Sequence, residues 1–227
     1  QGVPVAYYSM EMARTSVARR QLSTLSGVGE RAMRTGQVAD AEIGALLNSI
    51  NKLSCAYSFF ISDDRHWTTS SLRADLSRLM AEHGVRVFVL DYMEKLKDPW
   101  HGQEDYGRTA MLSDRITDIA YDLGVHALVI QRMTKSGFAA HTAGAEHMSG
   151  SSQLIHDGDI VGVLNEFTPV DEAEKHSVSA EEIKNLRTLT FAKLREEAPR
   201  RHVHLVQRPG IPAFADWARP TISLEDV

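Results

Sequence analysis

Apolar positions along this chain follow two periods that alternate. A β-branched and aromatic run from Val3 to Ser9 gives way to apolar residues spaced three and four apart, the mark of a strand followed by an amphipathic helix. That helix reads over Arg14 to Ser26, with Ala18, Leu22 and Leu25 close to one face. Asp40 is placed to cap a second helix, Ala41 to Leu53, in which Ile43, Leu46, Leu47 and Ile50 keep helical spacing. Tyr57 to Ser62 reads as a short strand, and Ser70 or Ser71 as the cap of a helix carrying Leu72, Leu76, Leu79 and Met80. Val85 to Leu90 is apolar at nearly every position, as a central parallel strand covered on both faces requires. An amphipathic helix over Met111 to Leu123 follows, then buried strands over Ala127 to Ile130 and Ile160 to Leu164. Leu189 to Leu194, His202 to Val206 and Ala213 to Trp217 read as consecutive strands.

This order predicts an α/β fold: a mostly parallel central sheet flanked by helices, finishing in antiparallel strands. Its 227 residues, 43% of them hydrophobic, suit one domain over 1–227 with a full core. The acidic stretch without clear period within residues 166–186 reads as a mobile surface insertion. The lone Cys55 excludes an internal disulfide and a cysteine-rich zinc site. A net charge of −5 is not that of a protein that coats nucleic acid by bulk charge. It leaves room for DNA held by a few residues in a channel. No apolar run reaches the roughly 18–20 residues that span a bilayer, so no membrane contact and a cytoplasmic location are expected.

Candidate chemistry collects where strands end. Ser9-Met10-Glu11-Met12 stands at the junction of the first strand and helix. Ligands of doubly wound sheets gather outside the carboxyl ends of the strands. A carboxylate there either orients an attacking water or stabilises the first turn of the helix. Asp91 ends the most apolar strand, where an acid binds Mg²⁺ through water or caps the next segment. Gln131 ends the strand through Ile130, and a neutral amide there can sense a terminal phosphate. Lys193 and Arg195, two apart on a strand, share a face suited to phosphates, or else protect an exposed edge. His202 and His204 also share a face, without the carboxylate or cysteine neighbours of a clear metal motif. No G-x-x-x-x-G-K-[ST] phosphate loop occurs in these residues.

Taken in order, Tyr8-Ser9-Met10-Glu11-Met12, Arg34-Thr35-Gly36, Val89-Leu90-Asp91-Tyr92, Ile130-Gln131, Asp157-Gly158-Asp159-Ile160-Val161 and Ala192-Lys193-Leu194-Arg195 resemble the C-terminal motor domain of DnaB-type replicative DNA helicases. The resemblance runs from about Val3 to Asp216. It implies a RecA-like P-loop NTPase core, a ring homo-hexamer, and ATP- and Mg²⁺-driven translocation on single-stranded DNA, with a primase or helicase loader as further partners. Carried over by position, Glu11 would be the catalytic base, Asp91 the Walker B magnesium partner and Gln131 the phosphate sensor. Lys193 and Arg195 would reach the nucleotide of the adjacent subunit, with Arg195 as an arginine finger, and Arg20 would sit at the cofactor. Loops carrying Arg108, Lys135, Ser149 and Ser151 would face the DNA channel. The family's phosphate loop is expected upstream of Gln1. Ser149-Gly150-Ser151-Ser152 lacks the arginine usual in that segment, and Glu196-Glu197-Ala198-Pro199 replaces an Asn-Gly turn. The same residues leave open a RecA- or RadA-like recombination ATPase, and a non-catalytic remnant acting as a partner module.

Overall fold

The computed structural model describes residues 2–55, 58–101, 105–134, 144, 147, 151–169, 178–196 and 202–217. Two four-stranded sheets organise them. The first is parallel and contains β1 (Val5–Ser9), β2 (Phe59–Ser62), β3 (Val87–Asp91) and β4 (His126–Val129), in the order β2-β1-β3-β4. The second is antiparallel, β5 (Ile160–Glu166), β6 (Leu186–Leu194), β7 (His202–Gln207) and β8 (Phe214–Asp216) in sequence order. The sequence suggested one sheet ending in hairpins. Among the described residues the strands from Ile160 onward pair only among themselves, which leaves one edge of β5 without a strand.

Helices α1 (Arg14–Ser26), α2 (Glu30–Thr35), α3 (Asp40–Cys55), α4 (Thr69–His83) and α5 (Asp105–Leu123) belong to the parallel half. A short helix α6 (Ser151–Asp157) precedes β5, and a four-residue helix α7 (Ala180–Ile183) precedes β6. α7 falls within the stretch read as an insertion, and Ser179 and Glu182 form its capping box. α2 has no counterpart in the apolar pattern, since none of its six residues is buried. It ends at Gly36 in the left-handed region (φ 72°), which places Arg34-Thr35-Gly36 at a helix C-terminus.

The core fills one face of the parallel sheet. Ala6 and Tyr8 of β1 and Phe88 and Leu90 of β3 pack on Leu72, Leu76 and Leu79 of α4 and on Leu112, Ile116 and Ile119 of α5. Each such fully buried Leu or Phe contributes about 1.5–3 kcal/mol. The Tyr8 hydroxyl donates to Asp75 Oδ2 of α4 at 2.9 Å, so burial of the ring leaves its polar end satisfied.

Two expectations are corrected here. The cap of α4 is Thr68 rather than Ser70 or Ser71: Thr68 Oγ1 accepts from the Ser71 amide, and the Ser71 hydroxyl accepts from the Thr68 amide. Nor is β4 buried. It is an edge strand with no partner on its far side among the described residues, and Leu128 and Ile130 are 58% and 41% exposed. Its apolar run reads as that of a covered strand, and among the described residues nothing pairs with its far edge, so those side chains lie open.

Asp98 anchors the loop that follows β3. It is buried, accepts from the Thr69 amide at 2.8 Å and the Thr69 hydroxyl at 2.5 Å, and takes Arg115 Nη1 at 2.7 Å. One carboxylate thus joins the first turn of α4, the loop and α5. Replacing Asp98 by Ala strands those donors. Chemical denaturation should show a loss of about 2–4 kcal/mol, and a loss below about 0.5 kcal/mol would show that the junction is not an anchor.

Candidate nucleotide-hydrolysis site

Three of the residues singled out in the sequence lie at one end of the parallel sheet. β1 and β3 pair in register, Ser9 opposite Asp91, and the Met10 amide extends the ladder to the Asp91 carbonyl at 2.9 Å. β3 and β4 pair as far as Leu90 opposite Val129, and the Ile130 amide donates to the Leu90 carbonyl at 3.0 Å. Glu11, Asp91 and Gln131 therefore leave adjacent parallel strands at their carboxyl ends.

Glu11 lies in a bend between β1 and α1. The Ser9 hydroxyl shapes that bend, accepting from the Met12 amide at 3.1 Å and donating to the Met12 carbonyl at 2.7 Å. Because α1 starts at Arg14 and has no acid in its first turn, Glu11 is not there to complement the helix dipole. Its carboxylate, about half exposed, meets Arg132 Nη2 at 3.5 Å. The Arg132 guanidinium also lies 4.3 Å from the centroid of the Tyr92 ring, a cation–π contact. Arg132 gave no sign of itself in the sequence; only the pairing of β3 with β4 brings it across to Glu11.

Asp91 accepts the Tyr7 hydroxyl on Oδ2 at 2.6 Å, and its Oδ1 has no partner among the described residues. Burial of Tyr7, then the hydrogen bond to Asp91 and the charge of that carboxylate, push the phenol well above the usual tyrosine range; Arg20 acts weakly in the opposite sense. Arg20 itself leans on Glu30, Nε to Oε2 at 3.7 Å. Gln131 donates to Glu94 Oε1 at 2.9 Å, which ties the end of β4 to the 3₁₀ turn Met93–Lys95 after β3.

Lys193, Arg195 and Arg108 each have partners of their own. Lys193 donates to the Ile155 and His156 carbonyls, both at 2.8 Å, so it serves the C-terminal end of α6. Arg195 is bound twice by Asp159, its amide to the Asp159 carbonyl at 3.0 Å and Nη1 to Oδ1 at 2.5 Å. Asp157 takes Ser113 of α5 at 2.5 Å and Gln153 at 2.7 Å. The Asp-Gly-Asp motif thereby fastens α5 and α6 through its first acid and Arg195 through its second. Arg108 is turned onto the Glu94 and Leu96 carbonyls, holding the loop after β3. Lys135 and Ser149 lie outside the described residues, and Ser151 opens α6. His202 and His204 meet the Thr190 and Thr188 hydroxyls at 2.9 and 3.0 Å. Among the described residues no three metal-ligating side chains cluster, and no helix is long and apolar enough to cross a membrane.

Polar residues at the carboxyl ends of neighbouring parallel strands, backed by helices, place the chain in the class of α/β proteins that bind their ligands at that end of the sheet. The particular family follows from comparison: residues 1–216 match the model of the DnaB-like helicase C-terminal domain, and the chain belongs to that family. The replicative DNA helicase DnaB of Buchnera aphidicola subsp. Baizongia pistaciae is 26% identical over 134 residues, 59% of this chain and 29% of that protein. The replicative DNA helicase DnaB of Rickettsia bellii is 23% identical over 132 residues, 58% of this chain and 26% of that protein. The match thus spans under a third of the length of these relatives. A solved ATPase domain superposes with a TM-score of 0.81 at 19% identity, over 95% of this chain and 75% of that one. A DnaB-like replicative helicase, whose structure was described with its interactions with primase, gives 0.80 at 19% identity over 95% and 52%. These likenesses bear out the α/β fold read from the sequence.

The contacts of Lys193 make a test of its place. Lys193→Met removes a cation from a helix C-terminus, worth about 1 kcal/mol. Amide exchange at Ile155 to Gly158 should accelerate roughly three- to ten-fold, about that energy. Unchanged exchange would free Lys193 from this role.

Proposed function

We propose that this chain is the larger part of the motor of a replicative DNA helicase. The full-length protein would hydrolyse ATP at the subunit interfaces of a ring hexamer, move on single-stranded DNA and open the duplex. The observation that carries this reading is the convergence of Glu11, Asp91 and Gln131 on the ends of β1, β3 and β4, within a chain of the DnaB-like family.

In this reading Glu11 takes the proton of the attacking water, and Gln131 reports the presence of the terminal phosphate. Its bond to Glu94 carries that report to the loop after β3. The donor set suits magnesium: Asp91 offers one carboxylate oxygen without a protein partner among the described residues, at a strand end, and Mg²⁺ takes one or two carboxylates and keeps several waters. When bound, the ion would neutralise charge on the phosphate oxygens. Among the described residues one edge of β4 and one of β5 are unpaired, open to a further strand such as the one that feeds a phosphate-binding loop in P-loop folds.

Arg195 serves the neighbouring subunit. Its pair with Asp159 does not forbid this, since the two side chains are 64% and 67% exposed and such pairs are worth about 0–1 kcal/mol. Arg20, on the helix after Glu11, is the second cation near the nucleotide. Single-stranded DNA follows the loops after β3 and β4, with Arg108 shaping the first, and Lys135, Ser149 and Ser151 belonging to the second. A primase or a loader docks on the assembled ring, which works in the cytoplasm.

In the full-length protein, Glu11→Gln should bind ATP as well as the parent and fail to turn it over. Arg195→Ala should lower DNA-stimulated ATPase about 10³-fold, the low end for an arginine finger. ATPase unchanged in Arg195→Ala would remove Arg195 from the site.

A further inference from the structure

Asp91 cannot orient itself. A carboxylate at a strand tip rotates freely about its side-chain bonds unless a donor fixes one oxygen, and a metal partner is useful only when its open oxygen points the same way in every molecule. The described residues supply one side-chain donor, the Tyr7 hydroxyl, 2.6 Å from Oδ2. The sheet register explains how it arrives. Tyr7 pairs with Val89 and Ser9 with Asp91, so Tyr7 and Asp91 are diagonal neighbours on one face of adjacent strands. That diagonal is about 7–8 Å at the backbone, and only a long or aromatic side chain bridges it. A tyrosine spans it with the ring and delivers the hydroxyl at its end. The ring is held in turn by Phe59 of β2, 5.9 Å between centroids.

We infer that Tyr7 is the positioning residue of Asp91: it occupies Oδ2, and so presents Oδ1 to a hydrated magnesium ion in a fixed direction. The inference rests on the reading of Asp91 as the magnesium partner and adds the residue that makes that partner competent. In this role Tyr7 acts through Asp91. A phenylalanine would fill the same space and pack on Phe59, yet leave the carboxylate to rotate. The hydroxyl is therefore needed for orientation rather than for packing.

The test uses the full-length protein and binding rather than turnover. A fluorescent ATP analogue is titrated in EDTA, and again at rising Mg²⁺, for the parent, Tyr7→Phe and Asp91→Asn, with thermal unfolding of each. Tyr7→Phe should keep the parent's nucleotide affinity in EDTA and a cooperative unfolding transition, while the Mg²⁺ concentration for half-maximal binding rises about ten-fold, the lower range for loss of a group that orients a metal ligand. A residue that merely supports the fold would move the unfolding midpoint and both affinities together. An unmoved Mg²⁺ midpoint in Tyr7→Phe, alongside a shifted one in Asp91→Asn, overturns the role given to Tyr7. If Asp91→Asn also leaves the Mg²⁺ midpoint in place, the magnesium reading of Asp91 fails, and the role of Tyr7 with it.

Discussion

Parallel pairing between β1 and β3 sets the ends of two strands at the same level, and the candidate chemistry depends on that register. Five successive residue pairs, from Val5–Val87 to Ser9–Asp91, fix it. A one-residue slip of β1 would turn Tyr8 out of the core and Tyr7 into it, and a one-residue slip of β3 would do the same to Phe88 and Leu90 and bring Asp91 in. Burial of Tyr8, Phe88 and Leu90 against α4 and α5 therefore does more than stabilise the sheet. It decides which carboxylates stand at the open end and how far apart they are.

At that end the loop after β3 is tied down. Asp98 holds the loop after β3 to α4 and α5. Arg108 binds two of its carbonyls, and Glu94 takes the amide of Gln131. Tyr92 lies under Arg132, which reaches Glu11. The proposed base, the proposed sensor and the first loop are joined through these contacts. In the proposed reading Arg195, just past the end of β6 in the antiparallel sheet, belongs to the site of the neighbouring subunit. That division suits a site completed by two subunits, one offering acids from its parallel sheet and the other an arginine from its antiparallel sheet.

Much of the fold was legible in the sequence because local patterns agree with it. α1 was read with the observed limits, α3 nearly so, and Val85 to Leu90 announced β3 by its unbroken apolar run. The strand-tip residues were legible for the same reason: a polar residue that ends such a run must stand at the edge of the sheet. What escaped depends on pairs distant in sequence. Tyr7 on Asp91, Arg132 on Glu11 and Asp98 on Arg115 are made by strand order and helix packing, which no local period encodes. Lys193 escaped differently. Its strand was foreseen, but the carbonyls it meets belong to α6, a seven-residue helix that no apolar pattern announced. The exposure of β4 escaped because composition distinguishes a parallel strand from an antiparallel one better than an edge from a centre.

A site shared between two subunits is best tested by mixing. Full-length protein carrying Glu11→Gln would be reassembled with full-length protein carrying Arg195→Ala, and DNA-stimulated ATP hydrolysis measured for the mixed rings and for each variant alone. Mixed rings contain interfaces where an intact Glu11 faces an intact Arg195 of the neighbour, so hydrolysis should return although each variant alone lacks it. Mixed rings as inactive as either variant would contradict a site that draws its acids from one subunit and its arginine from the next.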